Sequence, residues 1–277
     1  MGERNAFPSA QHFQAGSLLF EPNPTPAYRV RSGSVVAGYR LIRRIGRGWE
    51  STSYLAESAS GMMCRVKLYR DTDADHVRLT ASAFERFHVT GIVPRCHEMG
   101  IWLRNARDKI PFLVFDYIEG KPLTTILRPG CWRRSWRPET ALGVLRRMAT
   151  KIAAVHKLGR AVGDFEHGSN ILLRSDGDAV WCDLDPGSPD EPNTWIEGDR
   201  GHFFSVVDRL AAHQPANGTI QHAAKVLSPF RDCRVTERTF GRVVRALDPT
   251  TPLNMTVTDV VRGDLGGGAF PAKQGSK

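Results

Sequence analysis

Three short runs in the first half of the chain, Tyr39–Ile45, Ser53–Ser58 and Met63–Tyr69, place apolar residues between polar ones. A Gly-containing turn and an SASG stretch separate them, and this pattern predicts three strands. Residues 74–88 carry Val77, Ala81, Phe84 and Phe87 at steps of three and four, which predicts a helix. Two more strands are expected around Glu98–Arg104 and Pro111–Tyr117. From residue 138 the period changes. Pro138 suits a first helical position, and Leu142, Leu145, Met148, Ile152 and Val155 then line one helical face. Two short strand-like runs follow, Ile171–Leu173 and Ala179–Cys182, with SDGD as their turn, and helical segments are expected around 200–212, 219–227 and 236–246.

The expected fold class is therefore α+β with two lobes: a sheet with one helix over residues 39–120, and a mainly helical second lobe over 121–262. The hinge falls near Asp116–Leu123. Residues 1–38, rich in Pro, Ser, Gln and Gly without sustained periodicity, are expected to form a flexible leader. The Gly-rich stretch 263–277 is expected to be a disordered tail.

Composition narrows the setting. Hydrophobic residues make up 41% and charged residues 24%, ordinary for a soluble globular chain. No window approaches the ~18 uninterrupted apolar residues of a membrane span, and the N-terminus lacks the basic-then-apolar order of a secretory signal. The five cysteines, Cys64, Cys96, Cys131, Cys182 and Cys233, are scattered without CxxC spacing. A reduced cytoplasmic compartment follows, and secretion into a host cell's cytosol would look the same. The net charge of +9 favours acidic partners, but its arginines are dispersed and form no nucleic-acid-binding arm.

The candidate chemistry is phosphoryl transfer, which needs a phosphate cradle, a cation on phosphate oxygens, acidic metal ligands and a group that orients the nucleophile. The cradle candidate is Ile45-Gly46-Arg47-Gly48-Trp49-Glu50-Ser51, where glycines allow close backbone approach to phosphate. An ordinary hairpin turn explains that stretch taken alone. Lys67, set among apolar residues on the third predicted strand, is the first lysine of an arginine-rich chain. Its compact ammonium suits phosphate oxygens; the bland alternative is a snorkelling edge-strand lysine. Farther on, Asp164 lies in a loop, Asn170 precedes a strand, and Asp183 ends the returning strand in Cys182-Asp183-Leu184-Asp185. Turn-forming roles explain each singly, but not their ordered spacing.

In these motifs residues 39–212 resemble the protein-kinase-like superfamily. The resemblance implies a bilobal fold with an antiparallel N-lobe sheet plus one helix and a reduced, mainly helical C-lobe. It implies ATP and Mg2+ as cofactors. Gly46, Gly48 and Ser51 would cover the phosphates, Lys67 would hold the α/β-phosphates, and Glu85 would be the helix acid pairing with Lys67. Asp164 would orient the acceptor hydroxyl, and Asn170 and Asp183 would ligate magnesium, with Asp185 as a possible second ligand. Backbone groups of Asp116 and Ile118 would meet adenine, with Phe115 as gatekeeper.

The departures are informative. Val162 and Gly163 replace the usual His-Arg before the catalytic Asp, so no receiver for an activating phosphate is evident and activity without activation-loop phosphorylation is expected. The Asp164–Asn170 loop is one residue longer than usual, Asp-Leu-Asp replaces Asp-Phe-Gly, and the following segment is short. Asp199 and Asp208 read as cap and surface residues; the alternative is that one of them holds the catalytic loop from below. The Trp/Arg stretch 131–137 could grip an anionic substrate or form an amphipathic surface loop. The resulting expectation is a monomeric atypical serine/threonine protein kinase acting on protein substrates, similar to reduced bacterial effector kinases. The alternatives are a small-molecule or lipopolysaccharide-sugar kinase, similar to the Kdo and heptose kinases and acting on an anionic sugar or glycolipid, and a pseudokinase scaffold.

Overall fold

The computed structural model describes residues 30–247, apart from 49, 71–73, 106–107, 127–137, 166–167, 186–191, 214–217, 232, 234–235 and 237. The Trp/Arg stretch, His167, the tail and most of the expected leader lie outside the described residues.

Six strands form one antiparallel sheet in the order β1-β2-β3-β4-β6-β5. They are β1 (Val35–Val36), β2 (Tyr39–Arg47), β3 (Ser51–Glu57), β4 (Met63–Tyr69), β5 (Cys96–Leu103) and β6 (Lys109–Asp116). The first strand falls inside the range expected to be leader, and Val36 is fully buried against its neighbours. On β4 the pleat sends Cys64, Val66 and Leu68 to an outer apolar layer with Leu41, Ile110 and Val114. The opposite face carries Arg65, Lys67 and Tyr69. Helix α1 (Ala74–His88) covers that side through Val77, Phe84 and Phe87, and the Phe84 ring lies 4.6 Å from that of Phe115.

The stretch Tyr117–Gly120 leads to the second lobe. There β7 (Lys121–Pro122), β8 (Ile171–Leu173) and β9 (Ala179–Trp181) form a three-stranded sheet, and α2 (Leu123–Ile126) follows β7 directly. The two-residue strands β1 and β7 and the one-turn helix are too short for periodicity to announce, whereas β8 and β9 stand where strands were expected. Helices α3 (Pro138–His156), α4 (Pro192–His213), α5 (Gly218–Leu227) and α6 (Thr239–Ala246) complete the lobe. Pro138 does open α3, whose Leu145, Met148 and Ile152 are fully buried with Trp181, Phe203 and Phe240. The β8–β9 turn is braced against α3: Lys151 Nζ donates to Asp178 and to the Ala179 carbonyl, both at 2.8 Å, and Arg147 donates to the Gly177 carbonyl at 2.9 Å. One apolar cluster runs from Phe84 and Phe115 to Leu145 and Phe203, so the lobes share a core behind the cleft. The Trp181 N–H also crosses to the Ile92 carbonyl at 2.7 Å. Among the described residues no helix is long and apolar enough to cross a membrane.

Candidate active site

The front of the molecule opens between the lobes as a cleft of about 520 Å³, lined from above by Gly48, Glu50, Ser51, Lys67 and Tyr69 and from below by Asp164, Asn170, Asp183 and Asp185. The β2–β3 hairpin forms its roof. Its turn is tight: the Gly48 N–H donates to the Ser51 carbonyl at 2.9 Å, and Arg70 ties the Gly48 carbonyl at 2.7 Å. Gly46 sits opposite Ser53 in the ladder, one step back from the cleft.

Lys67 projects from β4 across the cleft, and its Nζ lies 2.8 Å from both carboxylate oxygens of Asp183. The lysine is 4% exposed. Burial lowers its pKa, and Asp183 opposes the shift. Partners so far apart in sequence meet because β4 and the end of β9 face one another across the cleft.

The loop after α3 is fixed from beneath. Asp199 on α4, fully buried, accepts the Val162 and Gly163 N–H groups at 2.8 Å each and bonds His156 at 2.9 Å. Asp208, by contrast, pairs with Arg231 at the surface. Of the two aspartates, Asp199 is the one under the loop. Gly163 has φ +65, and a Cβ built on it would lie 1.8 Å from the Asp185 carbonyl oxygen. The backbone after Asp183 packs directly onto this glycine, which accounts for the absence of a side chain there. Asp164 follows with φ 45, a left-handed conformation that Asp tolerates better than most residues. Asn170 holds it, donating to both the Asp164 carbonyl and its Oδ2 at 2.7 Å. The next residue, Phe165, anchors the loop edge-on between Trp181 and His202. Partial burial and then the negative charge of Asp183 push the Asp164 carboxyl above its ordinary value, while Asn170 opposes.

Glu85 is not part of this arrangement. It is exposed, on the face of α1 turned from the cleft, and no contact with Lys67 is formed. The cleft-facing residues of α1 are His76, Leu79 and Thr80, none of them acidic. Asp183 takes the lysine instead. Asp116 stands at the end of β6, where its carboxylate binds the Arg95 N–H at 3.1 Å and His97 at 2.6 Å. Asp116 and Ile118 lie beyond the open cleft, on the interlobe side. Sequence reasoning passed over Arg65, two positions before Lys67 on the same strand face. Its guanidinium bonds Ser53 Oγ at 3.1 Å and the Cys182 carbonyl, and lies 5.5 Å over the Phe115 ring. The period-two alternation of β4 was the signal that could have found it.

The donors near Asp183 are hard oxygens. The Asn170 nitrogen is engaged by Asp164, which leaves its amide oxygen for a cation. Among the described residues no group of three His, Cys, Asp or Glu side chains is gathered for a metal ion. Magnesium fits such a site, since it takes one or two carboxylates and completes its shell with phosphate oxygens and water.

A small sheet lobe with one helix, a helical lobe beneath, and a strand lysine facing a loop Asp, an Asn and a strand-ending Asp define the protein-kinase-like fold. It is similar to the crystallised kinase domain of PknI from Mycobacterium tuberculosis at 16% identity and TM-score 0.53, over 79% of this chain and 99% of that one. A doubly substituted form of the same domain matches at 17% identity and TM-score 0.56, with the same coverage. In sequence it is 26% identical over 163 residues to serine/threonine-protein kinase Pkn1 of Myxococcus xanthus, covering 56% of this chain and 21% of that protein. The chain thus spans about a fifth of that relative's length. No protein-family model matches the chain.

Proposed function

We propose that the chain is an ATP-dependent phosphotransferase that moves the γ-phosphoryl group to a serine or threonine hydroxyl of a protein. The observation that carries this reading is the Lys67–Asp183 pair beside Asp164 and Asn170 in one cleft. A structural ion pair alone would not require an acid held in a left-handed loop conformation next to it. Mg2+ supplies charge neutralisation on the phosphates when bound, and Asn170 and Asp183 are the residues that would hold it.

In this reading Lys67 leaves Asp183 for the α/β-phosphates once nucleotide arrives, and Asp183 is released to the cation. Gly46, Gly48 and Ser51 lie over the triphosphate, and backbone groups of Asp116 and Ile118 meet the base. Asp164, held by Asn170, accepts the hydrogen bond of the acceptor hydroxyl and takes its proton. The raised proton affinity of Asp164 suits that task. A relative named as a serine/threonine-protein kinase supports protein as the acceptor class.

Labelled ATP with magnesium, offered to a protein lysate and in parallel to core lipopolysaccharide, tests both halves of the proposal. Label on serine or threonine of protein is expected; label on glycolipid alone would end the protein-acceptor reading. In Asp164→Ala, turnover should fall at least about 100-fold while ATP binding persists. Intact turnover would remove Asp164 from its role.

A further inference from the structure

Arg65 stands where a nucleotide bound through Lys67 must place its base. Along β4 the two side chains emerge on one face, about 6.6 Å apart, with Arg65 on the side of the interlobe stretch. It pairs in the ladder with Phe115, the residue before Asp116. Phosphates held by Lys67 and the acids beneath it therefore leave the nucleoside to run along β4 past Arg65. That space is filled. The guanidinium binds Ser53 Oγ at 3.1 Å above and the Cys182 carbonyl below, and covers the Phe115 ring at 5.5 Å. The open cleft extends from Lys67 the other way, toward Leu79 and Thr80 of α1.

We infer that Arg65 is a built-in competitor for the base end of the nucleotide cleft. This rests on the phosphotransferase reading. Three successive residues, Trp181, Cys182 and Asp183, are tied to the small lobe, through Ile92, Arg65 and Lys67 respectively. Lys67 exchanges Asp183 for phosphate oxygens and keeps an ionic partner. Arg65 finds no such replacement in a neutral purine ring, so its release from the Cys182 carbonyl opposes binding. Nucleotide affinity is thereby held down by a side chain of the chain itself, and anything that draws the guanidinium outward raises it.

Calorimetric binding of ATP, adenosine and inorganic tripolyphosphate to the full chain and to Arg65→Ala tests this. Losing one charge-assisted hydrogen bond that must otherwise be broken should tighten ATP and adenosine by about ten-fold, leaving tripolyphosphate, which stops at Lys67, unchanged. Ser53→Ala, which removes only the upper partner, should tighten ATP by a smaller factor and serves as the test if Arg65→Ala does not fold. Equal or weaker ATP binding in the folded variants would overturn the role of Arg65 and leave the phosphotransferase reading standing. An equal gain for tripolyphosphate would also overturn it, by placing the effect at Lys67. Failure of every chain to bind ATP would overturn both.

Discussion

Gly163→Ala is the sharpest test of how the loop carrying Asp164 is built. The new methyl would sit 1.8 Å from the Asp185 carbonyl oxygen and 2.7 Å from its carbon, both backbone atoms that no rotamer change can move. An ordinary carbon–oxygen contact is about 3.3 Å, so the backbone at Asp185 must retreat by roughly 1.5 Å. The left-handed φ adds about 1–2 kcal/mol for any residue with a Cβ, and overpacking a tight contact about 1–3 kcal/mol. The total, about 2–5 kcal/mol, should lower the melting temperature by about 5–15 °C. The retreat also shifts the stretch that carries Asp183, and a displacement of that size should reduce ATP turnover by about 100-fold. Gly159→Ala is the matched control: its φ is +67, yet a Cβ there meets nothing within 4 Å. It should lose about 1–2 kcal/mol for the backbone conformation alone and keep its turnover. Thermal melts and steady-state turnover of both variants decide the matter. Equal losses in the two, or full turnover in Gly163→Ala, would refute the packing argument.

Three further outcomes are expected. Asp199→Ala leaves the Val162 and Gly163 N–H groups buried without a partner, and at about 1–3 kcal/mol each urea unfolding should show a loss of about 2–6 kcal/mol; a change below 1 kcal/mol would mean that the loop is held elsewhere. Lys67→Met replaces a buried cation with an apolar side chain of similar length and leaves Asp183, whose side chain is 33% exposed, to water, so stability should change little while turnover drops by about 100-fold or more; a collapse of stability would recast Lys67 as structural. Glu85→Gln should leave turnover within about two-fold, the ordinary tolerance of an exposed position, and a large loss would restore the helix-acid role.

Much of this was legible in the chain. The strand Met63–Tyr69 and the helix spanning 74–88 stand where periodicity puts them, because both bury one face and a buried face writes its period into the sequence. Asp164, Asn170 and Asp183 were found by order and spacing, and they do meet. Glu85 illustrates the limit. The apolar residues of α1 establish which side faces the core, but Glu85 was selected for being an acid at a suitable distance along the chain. The helix turns His76 and Thr80, not that acid, toward the cleft. Asp199 and Asp208 looked alike in sequence; their difference is tertiary, since one sits under a loop and the other beside Arg231. Gly163 read as a departure from a motif, and the reason for it lies in a carbonyl more than twenty residues away.

The link between Ile92 and Trp181 also limits how the molecule can breathe. Once nucleotide releases the Arg65 and Lys67 contacts in the cleft, this link and the Tyr117–Gly120 connection pin the lobes at two separate points, and two fixed points leave a single axis of rotation. Displacement about such an axis grows with distance from it, so the tip of the glycine hairpin sweeps farthest and the rear wall scarcely moves. Entry and exit of a ligand are therefore a matter for the front lip, with amide exchange fastest around Gly48 and slowest at Trp181.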